Sequence, residues 1–376
     1  MIGHQDLPRW AEIGLIPILN VLVALGVAGI IIAALGENPF DALLVMFKGA
    51  FVYQGALGYT LYYTTNFIFT GLAVAVAFHA MLFNIGGEGQ AYLGGLGIAL
   101  ICLSLEAYLP ALMVMILAVV GSAIVGAIWG AIPGWLQAKR GSHVVITTIM
   151  FNFLAASIMV SLLSGILKNP GRMSPETRAF SESTALPFIH DIFAGLGVEL
   201  ARSPLNLAFV IALLCCVFVW ILIWRTRLGY AIRVTGHSAT AAEYAGINIT
   251  KIITITMAIS GGLAGMMAIN EILGVQHRLI LNFTSGYGFT GIAVALMGRN
   301  HPVGVIMASL LFGALFQGGA ELDFEFESIT RDMVLLIQGL VILFSGGLAY
   351  MLNRPVSALL RLVLNDHKRY KTVTHE

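Results

Sequence analysis

The stretch LNLAFVIALLCCVFVWILIWRTRLGYAIR (205–233) decides the fold class. From Leu205 to Trp224 twenty residues pass without a charge, the length at which an α-helix rising ~1.5 Å per residue crosses a hydrocarbon layer ~30 Å thick. Arg225, Arg227 and Arg233 follow at once. A charge-free run that stops on basic residues reads as a membrane span ending on the cytoplasmic side, because Lys and Arg resist translocation.

Working outward, the same pattern recurs along the chain. Apolar runs separated by charges, Pro and Gly fall at about 12–35, 60–83, 90–104, 109–136, 143–165, 205–224, 251–270, 286–298, 302–318 and 331–352. The expected fold is therefore all-α, a polytopic transmembrane helical bundle of about ten spans forming one domain over 1–376. With 58% hydrophobic and only 10% charged residues, against about 25% charged in soluble domains, a water-soluble core is excluded. The first run is too long for a signal-peptide core and reads as a retained span. The runs at 90–104, 286–298 and 302–318 read as shorter than a full crossing, where broken helices and re-entrant backbone occur.

Charge placement gives the orientation. With the N-terminus inside, 13 of the 20 Lys and Arg are cytoplasmic, among them Arg9, Lys139, Arg140, Lys251, Arg299 and the C-terminal Arg354 to Lys371. Both termini are then expected in the cytoplasm. The other seven, with the acidic Glu321, Asp323, Glu325 and Glu327, fall outside. Three stretches do not read as spans: 36–59, an interfacial helix started by Asn38 and Pro39; 166–204, a polar external loop; and 225–250, the longest cytoplasmic loop.

Absences narrow the class. The chain has no GxxxxGK[ST] phosphate loop, no HExxH and no GxSxG, so it offers neither a nucleotide cradle nor a hydrolytic constellation. Cys102, Cys215 and Cys216 lie in apolar runs without metal-ligand spacing. No catalytic residue, metal site or cofactor is expected on the chain itself, and a net charge of +1 gives no footprint for nucleic acid. Coupling to an ion gradient would need ionisable groups at membrane depth. His79 reads as bonded to a backbone carbonyl and Glu271, followed by His277 and Arg278, as a solvated or snorkelling carboxylate.

Two segments carry stronger signals. In FNIGGEGQ (83–90), three glycines break the helix and free backbone groups that lipid cannot satisfy, while Asn84, Glu88 and Gln90 add donors and acceptors. That serves either a hydroxyl-rich permeant or internal satisfaction of the break. Phe69, Phe83, Asn84, Glu88 and Gln90 are the candidate residues of a translocation path. In 225–250, Thr240 and Glu243 have capping-box spacing, Ala241, Ala242 and Ala245 favour helix, and Gly246 can end it left-handed. The expectation is a short, small-faced helix that fits a cleft on a soluble partner.

Gly126, Gly130 and Gly134, with Gly261, Gly262 and Gly265, signal close helix packing, and Asn152, Asn270, Gln317 and Gln338 interhelical hydrogen bonds. FTGLAVA (69–75) and FTGIAVA (289–295) are nearly the same heptapeptide. Small apolar residues recur in membrane proteins, and coincidence is the reading adopted.

FNIGGEGQ (83–90), GLAVAVAF (71–78), RTRLGYAIRVTGHSATAAEYAGIN (225–248) and GYGFTGIAVALMGRNHPVGV (286–305) resemble the bacterial ABC-type permeases that serve simple sugars, branched-chain amino acids and nucleosides, most nearly the nucleoside or sugar branch. The resemblance implies a multi-pass permease of the cytoplasmic (inner) membrane, assembled with a second permease subunit as a homo- or heterodimer. It further implies a cytoplasmic ABC ATPase subunit that binds the ATP, and an extracytoplasmic solute-binding protein. His237, Ser238, Ala239, Thr240, Ala241, Ala242, Glu243, Tyr244, Ala245 and Gly246 would be the helix coupled to the ATPase. His237 and Ser238 depart from the acidic residue, Asn or Pro common there. The expected function is ATP-driven import of a nucleoside or simple sugar by alternating access. An ion-gradient-driven secondary transporter is the alternative.

Overall fold

A computed structural model describes residues 15–344. Residues 1–14 with Arg9, the end of the expected last span and the basic C-terminal stretch lie outside the described residues. The described chain is mainly helical, with two isolated β-bridges and no strand among the described residues.

The helices are α1 (Ile16–Ala34), α2 (Pro39–Phe51), α3 (Ala56–His79), α4 (Gly87–Leu105), α5 (Ala111–Arg140), α6 (Val144–Ser164), α7 (Ile189–Ala194), α8 (Ala208–Arg225), α9 (Arg227–His237), α10 (Ala239–Tyr244), α11 (Ile249–Ala268), α12 (Tyr287–Met297), α13 (Pro302–Glu325) and α14 (Arg331–Ile342). A π-helical segment, Ile269–Gln276, continues α11. Seven of the ten expected spans are helices of at least 18 residues that are apolar enough to cross a membrane. Of the other three, α12 and α14 are 11 and 12 residues long, and the apolar stretch within α1 covers Ile18–Ala34.

Two expected short spans are full length. α4 starts at Gly87, so Gly87 and Gly89 belong to its first turn and the break lies ahead of them. α13 runs 24 residues, through Gly318 and Gly319 to Glu325, so Glu321, Asp323 and Glu325 are helical. The helix at 36–59 is confined to α2, where the Asn38 side chain accepts from Phe40 N at 3.0 Å. Residues 56–59 already belong to α3.

The described chain forms two compact units. In the first, built from residues up to 46 and from 319 onward, Ala28, Ile32, Ala42, Leu322, Ile329, Val334 and Ile337 make an apolar core.

The second unit, 47–318, is organised around α3, buried almost continuously from Thr64 to Ala77. Its polar residues survive in an apolar setting by bonding back to their own helix: Thr64 to Thr60 O at 2.7 Å, Thr65 to Leu61 O at 2.8 Å and Thr70 to Asn66 O at 3.0 Å. α5 and α11 meet along glycines. A Cβ on Gly126 would stand 2.4 Å from Gly261 O, and one on Gly261 would stand 2.4 Å from Gly126 O. Gly130 faces Met257 O and Gly265 faces Ser122 O just as closely, at 2.6 and 2.5 Å. The helices touch backbone to backbone, as the spacing predicts.

The two heptapeptides also meet. A Cβ on Gly71 would lie 2.8 Å from Val294, and one on Gly291 2.5 Å from Thr70. Each copy packs its glycine against the other copy. The outward faces of α5, α6 and α8 keep Ile124, Ile128, Phe153 and Val217 exposed, as helices surrounded by lipid do.

The loops at the two ends of α3 are distinct. Gly55 and Gly58 abut Ala201–Ser203 of the 166–204 loop, whereas Gly236 of α9 abuts His79 and Ala80. The 24-residue helix between them is about 36 Å long, so the 166–204 and 225–250 segments sit at opposite ends of the bundle.

Candidate translocation and coupling sites

The break after α3 begins at Met81, whose φ of 53° stops the helix. Asn84 then holds it together: its amide nitrogen donates to Gln90 Oε1 at 2.9 Å and Ser260 Oγ at 2.8 Å, and its oxygen accepts from Gly86 N at 2.9 Å. Asn152 donates to Ile85 O at 3.0 Å and accepts from Gly89 N at 2.9 Å, an interhelical role as expected. Glu88 takes the N–H groups of Gly286 at 2.9 Å and Gly288 at 2.8 Å, capping the start of α12 with its two carboxylate oxygens. Phe69, Asn84 and Gln90 are buried, while Phe83 and Glu88 are half-buried. The structure brings Phe83, Asn84, Glu88 and Gln90 together at one joint between α3, α4 and α12, and leaves Phe69 in the middle of α3.

At the 225–250 end, Thr226 caps α9 by accepting from Gly229 N at 3.0 Å. Ser238 caps α10 by accepting from Ala241 N at 3.2 Å. Thr240 is therefore inside the helix and the expected capping box does not form; the chain is extended at Ser238, two residues earlier, and a cap needs that geometry. Gly246 does take the left-handed conformation, at φ 75°. Ala242 is wholly buried, yet His237 to Ala241 and Glu243 to Gly246 are exposed, with Tyr244 92% exposed. The base of this projection is firm. Gly236 packs on the His79 carbonyl, His79 Nε2 lies 3.1 Å from Asn300 O, and Trp224 sits 5.1 Å from the His79 ring and 5.0 Å from His301.

Glu271 is not solvated. It is 5% exposed and accepts from Asn66 Nδ2 at 2.7 Å and from the Tyr62 hydroxyl. The π-helical turn carries it away from the polar loop at His277 and into the bundle against α3. Asn270 donates to Asn66 Oδ1 at 2.8 Å and to Tyr62 O at 3.1 Å, and Asn206 donates to Asn270 Oδ1 at 2.9 Å. The expected interhelical role of Asn270 holds. What the sequence reading missed is Asn66 and the chain of donors that ends on a carboxylate.

These features place a multi-pass helical protein, with a broken-helix joint and a projecting helix, beside its relatives. Residues 56–346 match the family described as "Branched-chain amino acid transport system / permease component". The chain belongs to this permease family. Over 341 residues, the permease is 34% identical to the glucose ABC transporter permease protein of Haloferax volcanii, covering 91% of this chain and 89% of that one. It is 32% identical to the guanosine ABC transporter permease protein of Bacillus subtilis, covering 88% and 92%. With the nucleoside ABC transporter permease protein of Lactococcus lactis it shares 30% identity over 88% of this chain and 90% of that one.

Proposed function

We propose that this permease imports a nucleoside or simple sugar across the cytoplasmic membrane by alternating access, driven by ATP that a separate ABC ATPase binds. The observation that carries the reading is the exposed helix α10. A six-residue helix that buries little more than Ala242 has no folding reason to project. Its surface of Ala239, Ala241 and Ala245 admits close approach by a partner. It stands on α9, which is packed against the ends of α3 and α8. Residues 237–246 are thus the coupling segment. The 225–250 end is cytoplasmic, and the 166–204 end faces an extracytoplasmic solute-binding protein.

The rest of the proposal follows. Both termini lie inside, the ten spans form one permease domain over 1–376, and a second permease subunit completes the conduit. The joint at 83–90 lines part of the path, with Phe83 and Glu88 at its accessible edge and Phe69, Asn84 and Gln90 behind them. Relatives named for glucose, guanosine and nucleosides support the solute class.

The test is reconstitution of the whole transporter in proteoliposomes with radiolabelled guanosine, glucose and ribose. ATP-dependent uptake of at least one probe, lost on deleting 238–245, is expected. ATP-dependent uptake that survives the deletion overturns the coupling role.

A second reading has one observation in its favour. Glu271 is a carboxylate at membrane depth, and a secondary transporter needs such a group to bind a coupling ion. Uptake abolished by collapsing ion gradients while ATP stays intact would select that reading.

A further inference from the structure

The polar chain on Glu271 continues into a set of aromatic rings. Tyr62, which bonds the carboxylate, has its ring 5.3 Å from Tyr63. Tyr63 is 6.4 Å from Tyr287, and Tyr287 is 5.5 Å edge-on to Phe67. Phe67 in turn lies 4.9 Å from Phe316. Carboxylate, amides and ring faces therefore share one region of the second unit.

Three facts argue against a purely structural role. Glu271 forms no ion pair with Lys, Arg or His among the described residues. A buried charge without a counter-charge is costly, and packing alone asks for no charge there. Next, the hydrogen bonds run one way. Asn206 donates to Asn270, Asn270 to Asn66, and Asn66 with Tyr62 to Glu271. The carboxylate ends the chain as a pure acceptor, which another donor can satisfy equally well. Finally, Asn66 is ten residues into α3, about 15 Å along its axis, and Glu271 sits on a π-helical turn, a geometry common at functional sites.

We propose that Glu271 and Asn66, with the ring faces of Tyr63, Phe67 and Tyr287 beside them, form a mid-span solute site that is closed on itself in this conformation. Its ligand is an uncharged polar ring compound with hydrogen-bond donors. When α3 and the π-helical segment part, sugar hydroxyls or base N–H groups replace the donors of Asn66 and Tyr62 on the carboxylate. The aromatic faces then take the flat or C–H face of the ring. The solute exchanges one set of hydrogen bonds for another, so the site holds it only weakly, as a conduit must. This inference rests on the permease reading and names the residues that read the solute.

The experiment uses the complete transporter with its ATPase and binding protein in proteoliposomes. Guanosine, glucose and ribose are the probes, with deoxy analogues of whichever probe the wild type carries. Glu271→Gln is expected to lower the solute carried per ATP hydrolysed by about 10-fold or more, the scale of a lost bond to a charged group. It should also flatten the wild-type preference for the parent over its deoxy analogue. A merely structural residue would lower uptake and hydrolysis together and leave that preference intact, and this result overturns the proposal. Should Glu271→Gln fail to assemble, Tyr63→Leu decides: a raised KM for uptake supports the site, and an unchanged KM and preference overturn it. A guanosine preference assigns the site to a base and a ribose or glucose preference to a sugar. A wild-type complex that carries none of the probes with ATP sinks the permease reading itself, whereas wild-type uptake with indifferent variants sinks only this site.

Discussion

One helix, α11 with its π-helical continuation, makes two seams of opposite character. Within α11, Gly261 and Gly265 meet α5 with nothing between the backbones. In the π-helical continuation, Asn270 and Glu271 meet α3 through side-chain hydrogen bonds. The glycine seam leaves no room for a partner to be exchanged and can shift only as a block. The amide and carboxylate seam can be opened and satisfied by something else. A conduit needs both, one surface that carries force and one that yields.

The difference can be broken most severely at the first seam. Gly261→Leu must push apart two backbones already in contact, at a cost above about 3 kcal/mol. The expected outcome is loss of monodisperse protein on size-exclusion chromatography in detergent, and a well-folded variant would show that the glycines are incidental.

At the second seam the two single substitutions should be unequal. Asn66→Leu leaves the carboxylate short of a donor and is expected to cost about 3 kcal/mol, whereas Glu271→Leu strands neutral donors and should cost about 1–2 kcal/mol. The double substitution recovers part of both losses, and thermal unfolding of all four proteins closes the cycle. Strict additivity would mean that the contact carries no coupling.

Smaller again is the effect of acid at the end of this seam. Burial holds His277 below the usual imidazole range, against the opposing pull of Glu182 and a backbone bond to Leu273. Protonation therefore favours the unfolded chain. Stability is full above the unfolded value near ~6.5 and declines as the pH falls below it. A slight drop in melting temperature between pH 7.5 and 5.5, absent in His277→Asn, is expected; Asn tolerates the left-handed φ of 50° found there.

The smallest change in stability belongs to α10, which takes part in neither seam. Ala245→Arg should shift unfolding by less than ~0.5 kcal/mol while abolishing stimulation of the ATPase. Retained stimulation would separate the projection from the force-carrying seam.

The legible parts of the fold are those where a local rule suffices. Runs without charge reveal spans wherever lipid is the solvent, and four-residue glycine spacing predicted close helix packing, though not that α5 and α11 would be the pair. The break at 83–90 was legible from its glycines, but not its edge. Gly87 and Gly89 read as breakers, yet they are tolerated in the first turn of α4, where Asn152 crowds any side chain at Gly89. Glu271 was misread because its neighbours in sequence are polar, while its partner Asn66 is 205 residues away. Proximity along the chain says little about depth when a widened helical turn intervenes. The cap at Ser238 was missed because Thr240 and Glu243 have the right spacing in the wrong register, one that only backbone dihedrals reveal.

The paired heptapeptides have a consequence for how this protein can change. Because Gly71 receives Val294 while Gly291 receives Thr70, each segment is at once socket and plug for its near-copy. Widening a plug demands a deeper socket on the facing helix of the same chain. Neither heptapeptide is free to drift alone, and a lone methyl added to either glycine is a wedge driven between the two helices that enclose the heart of the bundle.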